Sequence, residues 1–181
     1  MKRLLLAICT FSLATVVLAL PRTYTVHVLV FSHLTPQTVS AEQWPLLTPM
    51  KISPATDTRP SFALAREAKA LAAQPDYRIL FNGEWRLTWA RDNQTITIPL
   101  SNGIDTQGNL NIALNHYFDI HADIFYAVPL GQLRDLDPTH YFDRVGQSPF
   151  IFMLSEDRRM KSQELNYLAM PVIGVLIEIT K

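Results

Sequence analysis

The sequence is poor in the residues that several kinds of protein chemistry require. Among its 181 residues are one cysteine, Cys9, and six glycines that do not cluster. A single cysteine excludes an intramolecular disulfide framework and a cysteine-rich zinc site. The scattered glycines form no phosphate-binding loop, and neither a G-x-S-x-G nor an H-E-x-x-H motif occurs. The common signatures of nucleotide-binding proteins, serine hydrolases and zinc peptidases are therefore missing.

An excess of charge of either sign is also missing. Lys plus Arg and Asp plus Glu number 16 each, and charged residues make up 18% of the chain. Non-specific binding to nucleic acid depends on positive charges that neutralise phosphates, so we expect no nucleic-acid partner. Hydrophobic residues reach 48%, which excludes a disordered chain. We therefore expect a globular protein with an ordinary hydrophobic core.

The N-terminus has the pattern of a secretory signal peptide. Two basic residues precede an apolar run over residues 4–18, and small residues stand at the −3 and −1 positions of a cleavage site after Ala19. An uncleaved anchor is the alternative, although the run is short for a membrane span. We predict a signal at residues 1–19 and one domain at residues 20–181. Because Cys9 lies inside the signal, the exported chain has no cysteine and no stable membrane span.

Alternation of apolar and polar residues predicts about six strands. Each run is rich in β-branched or aromatic residues and alternates over most of its length. The runs are residues 24–31, 77–89, 95–100, 110–126, 150–160 and 165–179. The fourth run is interpreted as one bent strand. The last two are interpreted as a hairpin that turns near residues 161–163.

One helix and one long loop complete the predicted organisation. Apolar residues recur at helical spacing over residues 62–73, and Pro75 ends the pattern. Residues 33–60 contain five of the twelve prolines and predict a long Pro-rich loop. The expected fold class is α+β, with a twisted, partly curled antiparallel β-sheet of about six strands and one main helix packed on one face.

Two groups of side chains are candidates for chemistry. Asp119, His121 and Asp123 alternate along one run, so they share one strand face and converge on a metal ion if the strand bends. A solvated outer sheet face predicts the same alternation, and we prefer that interpretation. Arg158 and Arg159 are suited to bidentate capture of carboxylates. Alternation places them on opposite faces, and a charged hairpin tip that keeps the strand edge soluble is the simpler interpretation.

Aromatic and basic residues elsewhere are candidates for contact with a glycan or a protein. Alternation places Trp85 and Trp89 in the core. Trp44 lies in the Pro-rich loop, where we expect it to be partly exposed and available to stack on a sugar ring. Arg78 and Arg86 are expected on the polar face of one strand, where they form an outward patch.

Several segments, taken in order, resemble the CsiV family. They are the strand at residues 24–31, a Trp-Pro pair at residues 44–45, the run at residues 77–86, the run at residues 110–126 and the C-terminal part from residue 158. The family pattern in that last part has two arginines and then a Glu-Ile/Leu-His-Tyr-Leu-Asp-His-Pro run. Here Asn166 replaces a histidine, and Ala169-Met170 replaces Asp-His. The candidate binding residues are Arg158, Arg159, Asn166, Tyr167, Arg78, Arg86 and Trp44.

The resemblance implies a function at the cell wall. Members of the family are periplasmic proteins of Gram-negative bacteria that bind peptidoglycan without catalysing a reaction. They support an outer-membrane lipoprotein that activates a penicillin-binding protein, a bifunctional cell-wall synthase. No cofactor is expected. Two alternatives remain open: an apolar small-ligand carrier with a pocket between sheet and helix, lined by Phe81, Phe118 and Phe152, and a metal-dependent periplasmic enzyme.

Overall fold

A computed structural model describes residues 20–181 of the chain. The predicted signal at residues 1–19, together with Cys9, lies outside the described residues. Between residues 20 and 181, no helix combines the length and the apolar character that crossing a membrane requires.

Eight strands and three short helices make up the regular structure of residues 20–181. The strands are β1 (Arg22–His33), β2 (Tyr77–Trp89), β3 (Gln94–Ser101), β4 (Thr106–Leu114), β5 (Phe118–Val128), β6 (Phe150–Met160), β7 (Asn166–Ala169) and β8 (Ile173–Thr180). The helices are α1 (Pro36–Val39), α2 (Ala65–Ala72) and α3 (Leu130–Leu136), and a 3-10 turn spans Phe142–Arg144.

The strands form two antiparallel sheets of four, with the hydrophobic core between them. Sheet A has the order β2-β1-β8-β7, and sheet B has the order β3-β4-β5-β6. Tyr24 of β1 packs edge to face on Phe118 of β5, with ring centroids 5.0 Å apart. Trp89 Nε1 of β2 donates a hydrogen bond to the Ile112 carbonyl of β4 at 3.3 Å. The fold is therefore mostly β, and its core is built by sheet packing on sheet.

The two sheets come together along two seams. Across the seam between β6 and β7, Glu156 and Arg158 of β6 hydrogen-bond to the backbone of β7. Across the seam between β2 and β3, Asn102 Nδ2 donates to the Leu80 carbonyl at 3.1 Å. At both seams, side chains hydrogen-bond to backbone groups that a neighbouring strand would pair with in a continuous sheet. These hydrogen bonds protect the strand edges.

The end of the Pro-rich segment forms an ordered strap (residues 53–59) that is hydrogen-bonded to the end of β3 at Thr56 and to β2 at Arg59. The Glu84 N–H of β2 donates to the Arg59 carbonyl at 3.0 Å. Gly83 lies beneath the strap, where a Cβ would come within 2.6 Å of Thr58 Cγ2. Glycine at this position leaves room for the Thr58 methyl group and the Phe81 ring. The segment predicted as a long loop therefore covers the open edge of β2.

The structure corrects the predicted number and pairing of the strands. There are eight strands in two sheets rather than about six in one. Residues 110–126 are not one strand, because a turn at residues 115–117 separates β4 from β5 and the two pair with each other. β6 pairs with β5, whereas β7 pairs with β8, so the predicted C-terminal hairpin is wrong. Alternation of apolar and polar residues does not reveal a tight turn within a run, so it indicated neither the turn between β4 and β5 nor the separation of β6 from β7.

The predicted helix is present, but it is not the main packing layer. α2 spans Ala65–Ala72, inside the predicted residues 62–73, and none of its residues is buried. Leu64, which directly precedes α2, is only 1% exposed. Alanine side chains bury little apolar area, whereas a second sheet presents a broad apolar face. The predicted helix therefore does pack on one sheet face, against β2, but it is a short addition to a core that is built by sheet packing on sheet.

Candidate functional site

A β-bulge in β2 decides where two of the candidate arginines lie. The register between β1 and β2 shifts after Val30, and Leu80 is the extra residue on β2. Because side chains alternate along a strand, the bulge puts Arg78 and Arg86 on opposite faces of sheet A. Arg78 pairs with Asp105 Oδ2 at 2.5 Å, whereas Arg86 lies on the outer face. The predicted outward patch containing both arginines is wrong.

Four aromatic side chains form a row at one end of the outer face of sheet A. Phe31 of β1 lies between Tyr77 of β2 and Tyr167 of β7, at centroid distances of 5.7 and 6.1 Å. The rings of Phe31 and Tyr167 are within 3° of parallel. His33 stacks on Tyr77 at 4.2 Å. We call these four residues the aromatic row.

Gly174 of β8 makes room for the aromatic row. It pairs with Phe31, and a Cβ at this position would come within 2.3 Å of the Phe31 ring. Without that Cβ, the ring lies over β8 and reaches Tyr167. Phe31 is 6% exposed, whereas Tyr167 is 52% exposed. A buried ring therefore supports an exposed one and holds a flat amphipathic surface toward solvent.

The hydroxyl of Tyr167 stays protonated near neutral pH. Burial raises its pKa, and the neighbouring Tyr77 and Glu156 raise it further. A protonated phenol both donates and accepts a hydrogen bond. The exposed end of the aromatic row therefore combines an apolar ring face with a polar edge.

Side chains of β6 hold the short strand that carries Tyr167. Arg158 Nη2 donates to the Tyr167 carbonyl at 3.2 Å and to Glu156 Oε1 at 3.0 Å. Glu156 Oε2 accepts from the Ala169 N–H at 3.0 Å. Asn166 Nδ2 donates to a main-chain carbonyl of the preceding turn at 3.3 Å. Arg158 thus contacts the backbone of Tyr167, which makes it a positioning residue for the aromatic row.

Trp44 is buried, contrary to the expectation from its Pro-rich surroundings. It is 4% exposed, and its Nε1 donates to the Val39 carbonyl at 2.7 Å. Its ring packs edge to face on Phe152 at 4.9 Å. Because the ring is enclosed, it is not available to stack on a sugar. The prolines of this segment predict an irregular backbone, but they do not indicate which distant residues the segment packs against.

The outer face of sheet B carries the predicted group of aspartates and histidine. His121 Nδ1 lies 2.9 Å from Asp157 Oδ1, and His121 Nε2 lies 3.0 Å from Asp123 Oδ2. The hydrogen bond with Asp157, together with the contact with Asp123, raises the pKa of His121. Asp119 points instead to Arg159, whose Nε donates to its Oδ1 at 2.6 Å. The structure therefore unites two of the three candidate ligands and pairs the third with a cation.

This arrangement is poorly suited to a metal ion. A histidine that donates from both ring nitrogens has no lone pair left for a cation. The nearby Arg159 neutralises Asp119. In the part of the chain that the structure describes, no group of three or more His, Cys, Asp or Glu side chains is placed to hold a metal. The contacts are those of an outer face whose charges pair with one another.

A buried polar cluster on the outer face of sheet A was missed by the sequence analysis. His27 Nδ1 lies 3.0 Å from Ser61 Oγ and 3.3 Å from Glu84 Oε2, while its Nε2 lies 3.1 Å from Thr180 Oγ1. A Ser-His-acid triad needs the serine and the acid on different ring nitrogens. Ser61 is 2% exposed, and its Oγ also accepts from the Leu64 N–H at 3.1 Å. The cluster anchors the segment before α2 and lacks triad geometry.

The interior offers little support for a ligand carrier. That hypothesis required a cavity lined by Phe81, Phe118 and Phe152. Phe118 packs on Trp89 at 5.8 Å, and Phe81 stacks on Trp85 at the same distance. Phe152 is 1% exposed and contacts further aromatic rings. The three rings are packed against other side chains where the carrier hypothesis needs open space.

Comparison with known proteins gives a family match for most of the described chain. The family model described as "Peptidoglycan-binding protein, CsiV" matches residues 58–181, which is more than half of the chain. The matched part includes β2 to β8, and with them Tyr77, Arg158 and Tyr167. No curated protein and no solved structure matches the chain.

Proposed function

The chain belongs to the CsiV family of peptidoglycan-binding proteins, and from this premise we propose that it binds peptidoglycan through the aromatic row. The observation that carries this proposal is Tyr167, half exposed and stacked on the buried Phe31. Aromatic faces pack well against amphipathic partners, and the apolar faces of sugar rings are of this kind. Because the row is supported from below, little ordering is needed when the glycan binds.

The charges on the outer face of sheet B favour the aromatic row as the site. Arg159 is paired with Asp119, and His121 is paired with Asp123 and Asp157. A ligand that bound there would have to displace these contacts. Tyr167, in contrast, leaves about half of its surface to solvent. An exposed aromatic ring on a rigid support is typical of the residues that dominate binding energy.

The cellular role that we propose follows from family membership. The exported domain, residues 20–181, acts in the periplasm as a non-enzymatic accessory protein. It supports an outer-membrane lipoprotein that activates a bifunctional cell-wall synthase, and it needs no cofactor. The family description names binding and no reaction, and the signal pattern at residues 1–19 is consistent with export.

Retention on purified sacculi tests the proposed site. We expect the exported protein to be retained, and we expect Tyr167→Ala to weaken retention at least about fivefold, since removing a central aromatic contact costs at least about 1 kcal/mol. The matched control is Tyr117→Ala, because Tyr117 is 42% exposed and lies at the β4–β5 turn of sheet B. Equal losses in the two variants would contradict the aromatic row as the site. No retention of the unaltered protein would contradict binding itself.

A further inference from the structure

Three cations surround a pocket at the other end of the outer face of sheet A. Its volume is about 310 Å³. Its lining residues are Thr23, Tyr24, Thr25, Arg59, Arg86 and Lys181. None of them belongs to the aromatic row. Between Thr25 and Phe31, β1 covers about 20 Å at 3.3 Å per residue, so the two places are separate surfaces. We call the second one the basic pocket.

Three segments bring the positive charges of the basic pocket together. Arg86 of β2 lies opposite Thr25 of β1 in the antiparallel ladder. β8 pairs with the same stretch of β1 and ends just before Lys181. The strap contributes Arg59, whose Nε pairs with Glu84 Oε1 at 2.5 Å. The strand register thus places Arg86 at the basic pocket, and the ion pair with Glu84 holds Arg59 beside it.

Positive charge exceeds negative charge around the basic pocket. Glu84 is the adjacent carboxylate; its side chain is 9% exposed, and its Oε2 is also held by the Phe62 N–H at 3.2 Å. Glu178 lies opposite His27, two residue pairs further along β1 than Thr25, and does not line the pocket. Arg86 and Lys181 form no ion pair with any side chain of residues 20–181. The pocket therefore presents cationic groups that an anionic ligand can pair with.

We infer that the basic pocket binds a carboxylate group of the stem peptides of peptidoglycan. A guanidinium group matches the geometry of a carboxylate and binds it with two parallel hydrogen bonds. Thr25 also lines the pocket and its hydroxyl is a further donor, whereas the Thr23 hydroxyl is hydrogen-bonded to that of Thr88 at 2.8 Å. The inference rests on the proposed function, because stem peptides carry the carboxylates of the polymer to which the aromatic row binds through the glycan.

The test uses soluble stem peptide that an amidase has released from sacculi. We expect this peptide to shift the NMR signals of Arg86 and Thr25 in the exported protein. We expect the Arg86→Gln/Lys181→Gln variant to bind the peptide at least tenfold more weakly. The matched control is Arg66→Gln/Lys69→Gln on α2, which removes the same charge from two exposed positions outside the pocket. The control should bind like the unaltered protein.

Two results would overturn the inference. One is equal affinity of the pocket variant and the α2 control for the stem peptide. The other is equal binding of acetate and stem peptide at the pocket, which would reveal a non-selective anion site. Tyr167→Ala should bind the free stem peptide normally while losing retention on sacculi. Failure of the basic pocket is thereby separated from failure of the aromatic row.

Discussion

The outer faces of the two sheets present different surfaces to solvent. On sheet B the charged side chains pair with one another, as Arg159 does with Asp119 and His121 does with Asp123. On sheet A the aromatic row leaves Tyr167 half exposed, and the basic pocket leaves cations in excess. A ligand that binds to a face whose polar groups are already paired must displace those contacts, so little free energy is gained. A ligand that binds to a supported ring or to unpaired cations forms new contacts without that cost. The contrast supports the proposal that sheet A is the binding side.

The largest effect should come from filling the space that Gly174 leaves on sheet A. In Gly174→Ala, the added Cβ displaces the Phe31 ring and breaks its stacking on Tyr167. We expect a loss of about 1–3 kcal/mol in the free energy of unfolding, as for other overpacked sites, and loss of sacculi retention. Urea denaturation and retention measure the two effects. Gly146→Ala is the control, since a Cβ there meets nothing within 4 Å. Normal retention of Gly174→Ala would contradict a preorganised row.

Two adjacent arginines on β6 allow the two faces to be compared directly. Arg158→Ala removes the hydrogen bonds to the Tyr167 carbonyl and to Glu156 Oε1, so we expect a loss of about 1–2 kcal/mol in the free energy of unfolding. Retention on sacculi should fall severalfold because β7 is less well held. Arg159→Ala removes an exposed ion pair with Asp119 and should leave stability nearly unchanged.

A structural role of Arg158 in the fold as a whole is separable from its positioning role. Hydrogen exchange at the β7 amides should accelerate in Arg158→Ala before other amides do. Arg158→Lys keeps one donor and should restore part of the retention. Equal effects of Arg158→Ala and Arg159→Ala on retention would contradict the proposal that Arg158 positions the aromatic row while Arg159, on the outer face of sheet B, has no part in binding.

The smallest effect should be seen at His121, on sheet B. Its hydrogen bonds with Asp157 and Asp123 favour the imidazolium, so the pKa in the folded protein is raised above the ordinary value of 6.5. The stabilisation is fully present below pH 6.5 and is lost as the pH rises through the raised pKa. NMR titration should show this raised value, and Asp157→Asn should lower it. Sacculi retention should not follow this titration, and a retention curve that did would move binding to sheet B.

Much of the strand content was predictable because alternation is a local property. β1, β2, β3 and β6 lie where the pattern indicated them, at residues 24–31, 77–89, 95–100 and 150–160. The pairing was not predictable, because an alternating run does not reveal a tight turn within it. The turn at residues 115–117 therefore went unnoticed, and so did the division into two sheets, which falls between β2 and β3 and between β6 and β7.

The candidate site was predictable only in part. The family resemblance pointed to Arg158 and Tyr167, although it did not indicate that Arg158 acts on the backbone that carries Tyr167. Phe31, Tyr77 and His33 were not identified, because they come from strands that are far apart in sequence. The available signal was an aromatic residue on β1 opposite a glycine on β8, and it has meaning only once the register is known.

The amino-acid sequence by itself determined the chemical limits and the family: no cysteine outside the N-terminal run, none of the common catalytic motifs, and a match to the CsiV family over residues 58–181. Only the tertiary structure decided which faces are open, where the Leu80 bulge separates Arg78 from Arg86, and which rings and cations meet on sheet A. The physical reason is the separation along the chain of the residues that set each property. Composition and alternation follow from neighbours along the chain, whereas a binding surface is assembled by register between strands that are distant in sequence.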